Sequence, residues 1–276
     1  VPILDKYHVP LVLNGHEHSY QRSWTLRAGQ VVEGEGAVYV TTGGGGASIY
    51  PVFPRPFLAF AESAHHYVRS EVNGFNMTLR SIRIDGQEID KITLSPPPII
   101  TENGAVNAAS FTPALAPGEL VSVFGWQLAA GELSAARLPL PSSISGVSVT
   151  LDGQRLPLLH VSPTQINAQL PFDAADPTVL RVTTPNGSSD ISVALSEVAP
   201  ALFPAGSVAH ADGAPVDADS PARPGEFLMV FLTGLGRVNG QIAPGQAAPA
   251  APLLTVRAPV EVRLGNATIQ PSFAGL

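Results

Sequence analysis

YVRSEVNGFNMTLRSIRIDGQEIDKITL, residues 67–94, decides how this chain begins to fold. Apolar and polar residues alternate in three runs, and two turn signals, Asn73-Gly74 and Asp85-Gly86, separate them. Asn-Gly between alternating runs is the strongest short-range hairpin signal, because both residues tolerate the positive φ that a two-residue turn demands. Residues 67–72, 75–84 and 88–94 are therefore expected to form an antiparallel meander. Upstream, Ala37-Val38-Tyr39-Val40-Thr41-Thr42 is a strand that ends in the four glycines 43–46, and Leu11-Val12-Leu13 is a short run of buried type. Residues before it read as a short helix or turn.

Downstream, Ser95-Pro96-Pro97-Pro98 cannot continue a ladder, since proline has no N–H to donate, and favours a stiff extended connection. The expected organisation is a first domain at 1–95, a linker at 96–102, and two modules at 103–200 and 201–276. The later part reads as β-sandwich, with short alternating segments such as Gly146-Val147-Ser148-Val149-Thr150-Leu151 and frequent turns, among them Pro185-Asn186-Gly187. Pro117-Gly118-Glu119-Leu120-Val121-Ser122-Val123-Phe124 recurs as Pro224-Gly225-Glu226-Phe227-Leu228-Met229-Val230-Phe231. More loosely, Val147-Ser148-Val149-Thr150-Leu151-Asp152-Gly153 recurs as Val260-Glu261-Val262-Arg263-Leu264-Gly265-Asn266. The fold is expected to be mainly β, ending in a tandem of related modules whose second copy is cut short. Val1 instead of Met at the start is expected to mean that something was cleaved or that the chain is a fragment, and the shortened second copy implies a cut C-terminus as well.

Composition fits this texture and narrows the function. Charged residues are only 13% of the chain, while Gly (26) and Pro (27) are plentiful, as many short strands and turns require. The net charge of -7, with Lys6 and Lys91 as the only lysines, excludes a nucleic-acid footprint, because phosphate backbones select clustered cations. No apolar run approaches the roughly 20 residues of a membrane-spanning helix. Absence of cysteine excludes disulfides, thiolate catalysis and Cys-type zinc sites.

The chemistry-bearing stretch is Asn14-Gly15-His16-Glu17-His18-Ser19-Tyr20-Gln21-Arg22. On an extended segment residues i and i+2 project to one side, so His16 and His18 can face one site while Glu17 faces away. Gly15 would let the chain leave the strand. Imidazole nitrogen suits Zn, Fe, Mn or Ni, so two histidines are half a shell for one ion or one ligand to each of two. Taken alone, such a pair equally decorates a loop.

The surroundings resemble the last metal motif of the calcineurin-like metallophosphoesterases, in their purple acid phosphatase branch. Leu4-Asp5-Lys6-Tyr7 and the run from Leu11 to Arg22 are similar to that family's strand followed by GHxHxYxR, and further matches follow in order. They are Val38-Tyr39-Val40-Thr41-Thr42-Gly43-Gly44-Gly45-Gly46, then His65-His66-Tyr67-Val68-Arg69, then Asp85-Gly86 and Ile89-Asp90. The resemblance covers 1–95 and implies the C-terminal portion of a metallophosphatase α/β sandwich. It implies His16 and His18 as metal ligands, one to each of two divalent or mixed-valence ions (Fe, Zn or Mn). Such ions hydrolyse a phosphate ester by activating a bound water. The family's remaining ligands lie upstream of this motif, so the chain by itself is expected to be inactive and no catalytic residue is assigned.

Around this motif, Tyr20 and Arg22 either contact phosphate or brace the loop, and Gly15 supports it. The glycines 43–46 match no phosphate-loop pattern and are expected to allow close backbone approach. Neighbouring strand residues point to opposite faces, so His65 and His66 are expected to be a packed structural pair. His8, His160 and His210 are expected to be structural or surface residues. Ser162, Ser188 and Ser189 lack a nucleophile elbow.

A second resemblance begins at Asn103. Asn103-Gly104-Ala105-Val106-Asn107-Ala108-Ala109-Ser110-Phe111, Pro139-Leu140-Pro141, Val161-Ser162-Pro163-Thr164-Gln165-Ile166-Asn167 and Thr233-Gly234-Leu235-Gly236 are similar to an uncharacterised C-terminal domain family of secreted soil-bacterial proteins. Its first copy is also similar to IPT/TIG immunoglobulin-like modules. Such modules imply spacing or attachment and an extracellular or periplasmic location, with a cell-surface or extracellular partner. The expected whole is part of a secreted dinuclear phosphoesterase with Ig-like modules. The alternative is an extracellular binding or adhesion protein carrying a degenerate phosphatase-like segment.

Overall fold

The computed structural model describes residues 2–34, 36–176, 178–204 and 206–276; Val1 lies outside them. Among the described residues the protein is almost wholly β, with one five-residue helix, and it divides into two compact units at Pro96 and Pro97. Among the described residues no helix is long and apolar enough to cross a membrane.

Unit 1 runs through α1 (Pro2–Lys6), β1 (Leu11–Asn14), β2 (Tyr20–Ser23), β3 (Leu26–Arg27), β4 (Gln30–Val31), β5 (Val38–Thr42), β6 (Leu58–Glu62), β7 (His66–Asn73), β8 (Asn76–Arg83) and β9 (Glu88–Leu94). One sheet has the order β1-β5-β2-β6, with β1 parallel to β5 and the other pairs antiparallel. The other is the meander β7-β8-β9. Its first turn is centred on Gly74 and Phe75, one step beyond the Asn-Gly pair, because Asn73 still pairs with Asn76. Only Gly74 takes a positive φ (57°), the residue best able to do so at the first central position.

Period-two alternation puts Tyr20, Val38, Val40 and Leu79 into a common core, with Leu11, Phe60, Met77, Ile92 and Leu94 packed against it. The run 11–13 is less buried than its composition suggests. Strand β1 is at the sheet edge, and Leu13 is 53% exposed. An Arg83–Glu62 ion pair joins the meander to β6.

Unit 2 contains β10 (Ile99–Asn107), β11 (Leu120–Trp126), β12 (Leu133–Ser134), β13 (Ser148–Leu151), β14 (Gln154–Arg155), β15 (Leu158–Val161), β16 (Gln165–Gln169), β17 (Thr178–Thr184) and β18 (Gly187–Val193). They form a five-stranded sheet, β10-β11-β16-β15-β12, and a four-stranded one, β14-β13-β17-β18. The stretch read as linker is shorter than 96–102. Ile99 and Ile100 already pair with Trp126 and Gly125, since the residues after Pro98 have N–H groups to donate and strong strand preference. Inward positions such as Val121, Val123, Val149, Leu158, Ile166, Leu180 and Val182 are fully buried.

Beyond them lie β19 (Ala201–Leu202), β20 (Val208–His210), β21 (Leu228–Val230), β22 (Leu232–Thr233), β23 (Val262–Leu264) and β24 (Ala267–Ile269), paired two by two. The internal repeat has a structural echo. Pro117-Gly118 and Pro224-Gly225 each form a turn with glycine at positive φ (79° and 85°), closed by Glu119 N–H to Ala116 O and Glu226 N–H to Arg223 O. After the turn the copies differ, because β11 has a strand on either side and β21 pairs only with β20.

Candidate metal centre

The His-Glu-His motif follows directly from β1, whose end is tied to β5 by Asn14 Nδ2 donating to Thr41 Oγ1 at 2.9 Å. The motif is not extended, as strand alternation would require; His16–Ser19 is bent. His16, and not Gly15, makes the departure, with φ of 76°. A residue with a Cβ pays a steric cost there, and such outliers concentrate at functional loops. His16 is exposed and has no hydrogen-bond partner among the described residues. Ser19 N–H to Glu17 O, 2.8 Å, then closes a three-residue turn centred on His18.

His18 is held on three sides. Its Nδ1 lies 2.8 Å from the Ser48 carbonyl oxygen, its ring stacks on Tyr50 at 4.2 Å and 19°, and its own carbonyl accepts the Tyr50 N–H at 3.0 Å. A carbonyl can only accept, so Nδ1 carries the proton. In the neutral ring the lone pair is therefore on Nε2, which makes no hydrogen bond among the described residues. An outer partner on one ring nitrogen and a free lone pair on the other is how protein histidines present themselves to metals. As nitrogen donors, His16 and His18 fit the expected ions. They are only part of a shell, since no group of three or more His, Asp or Glu could hold a metal among the described residues.

The glycine run explains how the bend is packed. A Cβ on Gly43 would fall on the Glu17 carbonyl, and one on Gly44 would meet Ala64 O and His66 Nδ1 at 2.5 Å. Gly45 and Gly46 face open space, so close approach needs only the first two. Gly43→Ala should therefore cost about 2 kcal/mol of unit 1 stability, in the range for forced overpacking, and displace His18 from Ser48. Urea denaturation with the His18 ring resonances checks both; unchanged values would refute this packing.

Tyr20 and Arg22 brace. Tyr20 Oη donates to Asp90 Oδ2 at 2.8 Å, and Arg22 grips the same carboxylate through Nε (2.6 Å to Oδ2) and Nη2 (3.1 Å to Oδ1). Tyr20 is 2% exposed. Burial first, then the Asp90 carboxylate, pushes its hydroxyl far above the usual tyrosine range, and the Asp90 bond raises Arg22 likewise. Both side chains are thus turned to the core and committed to Asp90.

His66 is buried and satisfied at both nitrogens. Nδ1 donates to Ala64 O at 2.8 Å, and Nε2 accepts from Thr42 Oγ1 at 3.0 Å. Its ring meets Tyr20 edge-on at 5.3 Å. His65 is exposed and donates from Nδ1 to Gly44 O at 3.2 Å. The pair therefore fastens the glycine loop and offers no lone pair at His66. Elsewhere, His160 bonds Ser134 Oγ, and His210 sits between Glu226 and the Ser220 carbonyl.

Three partners escaped the sequence reading. Asp90 could have been found, as it shares strand parity with the core residues Ile92 and Leu94 and is thus a carboxylate on an apolar face. Ser48 and Tyr50 carry no such signal. They lie in a stretch without regular secondary structure, and only the tertiary fold brings them to His18.

No protein-family profile matches the chain. Over 108 residues it is 32% identical to the Homo sapiens protein acid phosphatase type 7, a match that takes in 33% of this chain and 25% of that protein. The chain spans about a quarter of the length of this curated relative. What the comparison supports is a phosphatase-like relationship for that part of the chain.

Proposed function

We propose that unit 1 carries part of the metal site of a phosphate-ester hydrolase, with His16 and His18 as ligands to its ions. The observation that carries this reading is the presentation of His18: Nδ1 is occupied by Ser48, and the Nε2 lone pair is left without a partner. The exposed left-handed His16 two residues earlier and the similarity to an acid phosphatase support it. The ions would be Fe, Zn or Mn, one per histidine, completed by ligands from outside the described residues. Bound metal would supply a nucleophilic water at neutral pH and charge neutralisation for the phosphoryl oxygens. The chain's own part is to hold two imidazoles at the end of β1, on a bend packed against Gly43.

Unit 2 has no group of three His, Asp or Glu fit for a metal among its described residues. Its two larger sheets and its resemblance to terminal modules of secreted proteins support an Ig-like spacing or attachment role outside the cell, with an extracellular partner.

Zinc titration of the 276-residue chain, followed on the histidine ring resonances, tests the ligand assignment. Zn²⁺ should move His16 and His18 together and leave His66 in place. His16→Ala and His18→Ala should each weaken binding by more than the roughly 10- to 100-fold typical of losing an outer-shell partner. Full zinc affinity in both variants would refute the assignment. In a protein that also holds the remaining ligands, either substitution should abolish p-nitrophenyl phosphate hydrolysis.

A further inference from the structure

We infer that Tyr50 is a positioning residue for His18: together with the Ser48 carbonyl it fixes the plane and the tautomer of that imidazole. The inference rests on the metal-site reading above, and it assigns the work to a segment that carries no recognisable motif. Four contacts make the cradle. Ser48 O accepts from His18 Nδ1 at 2.8 Å, and the Tyr50 ring lies over the imidazole at 4.2 Å and 19°. Tyr50 N–H donates to His18 O at 3.0 Å, and Ser63 Oγ donates to Tyr50 O at 2.7 Å. The last two fasten the Tyr50 backbone between the motif and the segment that follows β6, so the ring above His18 does not depend on a helix or strand of its own.

The physical need is clear from imidazole chemistry. A free histidine side chain favours the Nε2–H tautomer, in which the lone pair is on Nδ1, beside the backbone. To offer Nε2 outward, the ring must be held in the less favoured Nδ1–H form, and one carbonyl bond achieves this only if the ring cannot rotate about χ2. Stacking restrains that rotation, because near-parallel contact with Tyr50 is lost at every angle between the two in-plane orientations, and the Ser48 carbonyl selects the one of these that places Nδ1 on it. Tyr50 is 43% exposed and its ring is not part of the core cluster, so its position is better explained by what it covers than by packing.

The test uses the full chain, with long-range proton–nitrogen NMR reporting the tautomer of each histidine. In the unsubstituted protein His18 should be in the Nδ1–H form, and Tyr50→Ala should shift it to a mixture in which Nε2–H predominates. Tyr50→Phe, which keeps the stack, should restore the original form. The His66 and His160 resonances serve as fold controls and should stay unchanged in both variants. Zinc affinity at His18 should fall about tenfold in Tyr50→Ala and recover in Tyr50→Phe. An unaltered Nδ1–H tautomer and unaltered zinc affinity in Tyr50→Ala would overturn the inference. If zinc leaves His16 and His18 unmoved in the unsubstituted protein while the tautomer still follows the ring at position 50, the metal-site reading fails and the cradle stands.

Discussion

Asp90→Ala should lower the stability of unit 1 by about 4 kcal/mol, the scale on which removing one partner of a buried ion pair destabilises a protein. The carboxylate is the shared acceptor of Tyr20 Oη and of a two-pronged Arg22 grip, and the Arg22 and Asp90 side chains are only 17% and 8% exposed. Without it the Arg22 guanidinium loses its two-pronged acceptor and the Tyr20 hydroxyl is stranded in the core of Val38, Val40 and Leu79. Domains are stable by only about 5–15 kcal/mol, so the variant should be close to unfolding. Trp24 reports on unit 1 and Trp126 on unit 2, so urea denaturation in a Trp126→Phe background isolates the effect.

The same pair sets an acid limb. Burial by itself would raise the Asp90 pKa, but the Arg22 and Tyr20 hydrogen bonds outweigh it and hold the carboxyl below the usual carboxylate range. A depressed folded-state pKa means stability that is present above the ordinary value of about 4 and is lost as pH falls through the folded value. Asp90→Asn should flatten that limb. If Asp90→Ala unfolds at the same urea concentration as the unsubstituted chain, Arg22 is not a brace, and its reading as a phosphate contact returns.

How much of this was written in the sequence depends on the range of the interaction. The meander was legible from residues 67–94, because alternation and two glycine turns are local signals, and the structure moved only the centre of the first turn, to Gly74 and Phe75. The histidines were legible as a pair. Their geometry was not, since strand alternation says nothing once His16 enters the left-handed region. The roles of Tyr20 and Arg22 stayed open on sequence alone because the deciding partner is about 70 residues away, at Asp90. The buried-type reading of 11–13 overstated burial for a related reason: composition reports hydrophobicity, while exposure at an edge strand depends on which neighbours the sheet supplies.

A second carboxyl shares the parity of the core and, unlike Asp90, has no cation beside it among the described residues. Glu119 aligns with Val121 and Val123 and is 1% exposed. Asn107 Nδ2 donates to its Oε2 at 3.1 Å and to Ala199 O at 3.0 Å, while Oε1 is buried without a hydrogen-bond partner. Burial pushes its pKa up from 4.5 to about 8, against the smaller opposing pull of the Ala116 backbone and Asn107. Between those two values the folded chain keeps a proton that the unfolded chain has released. The stability this contributes is full below about pH 4.5 and is lost as pH rises towards 8. At about 1.4 kcal/mol per pH unit of that interval the loss reaches at most roughly 5 kcal/mol. Glu119→Gln keeps the acceptor for Asn107 and removes the charge. It should therefore match the unsubstituted chain near pH 5 and exceed it by about 3 kcal/mol near pH 9, within that ceiling. Urea midpoints read on Trp126 in a Trp24→Phe background across this range decide it. Parallel curves for Gln and Glu would mean that the carboxyl ionises within unit 2 at no cost, and that water reaches Oε1.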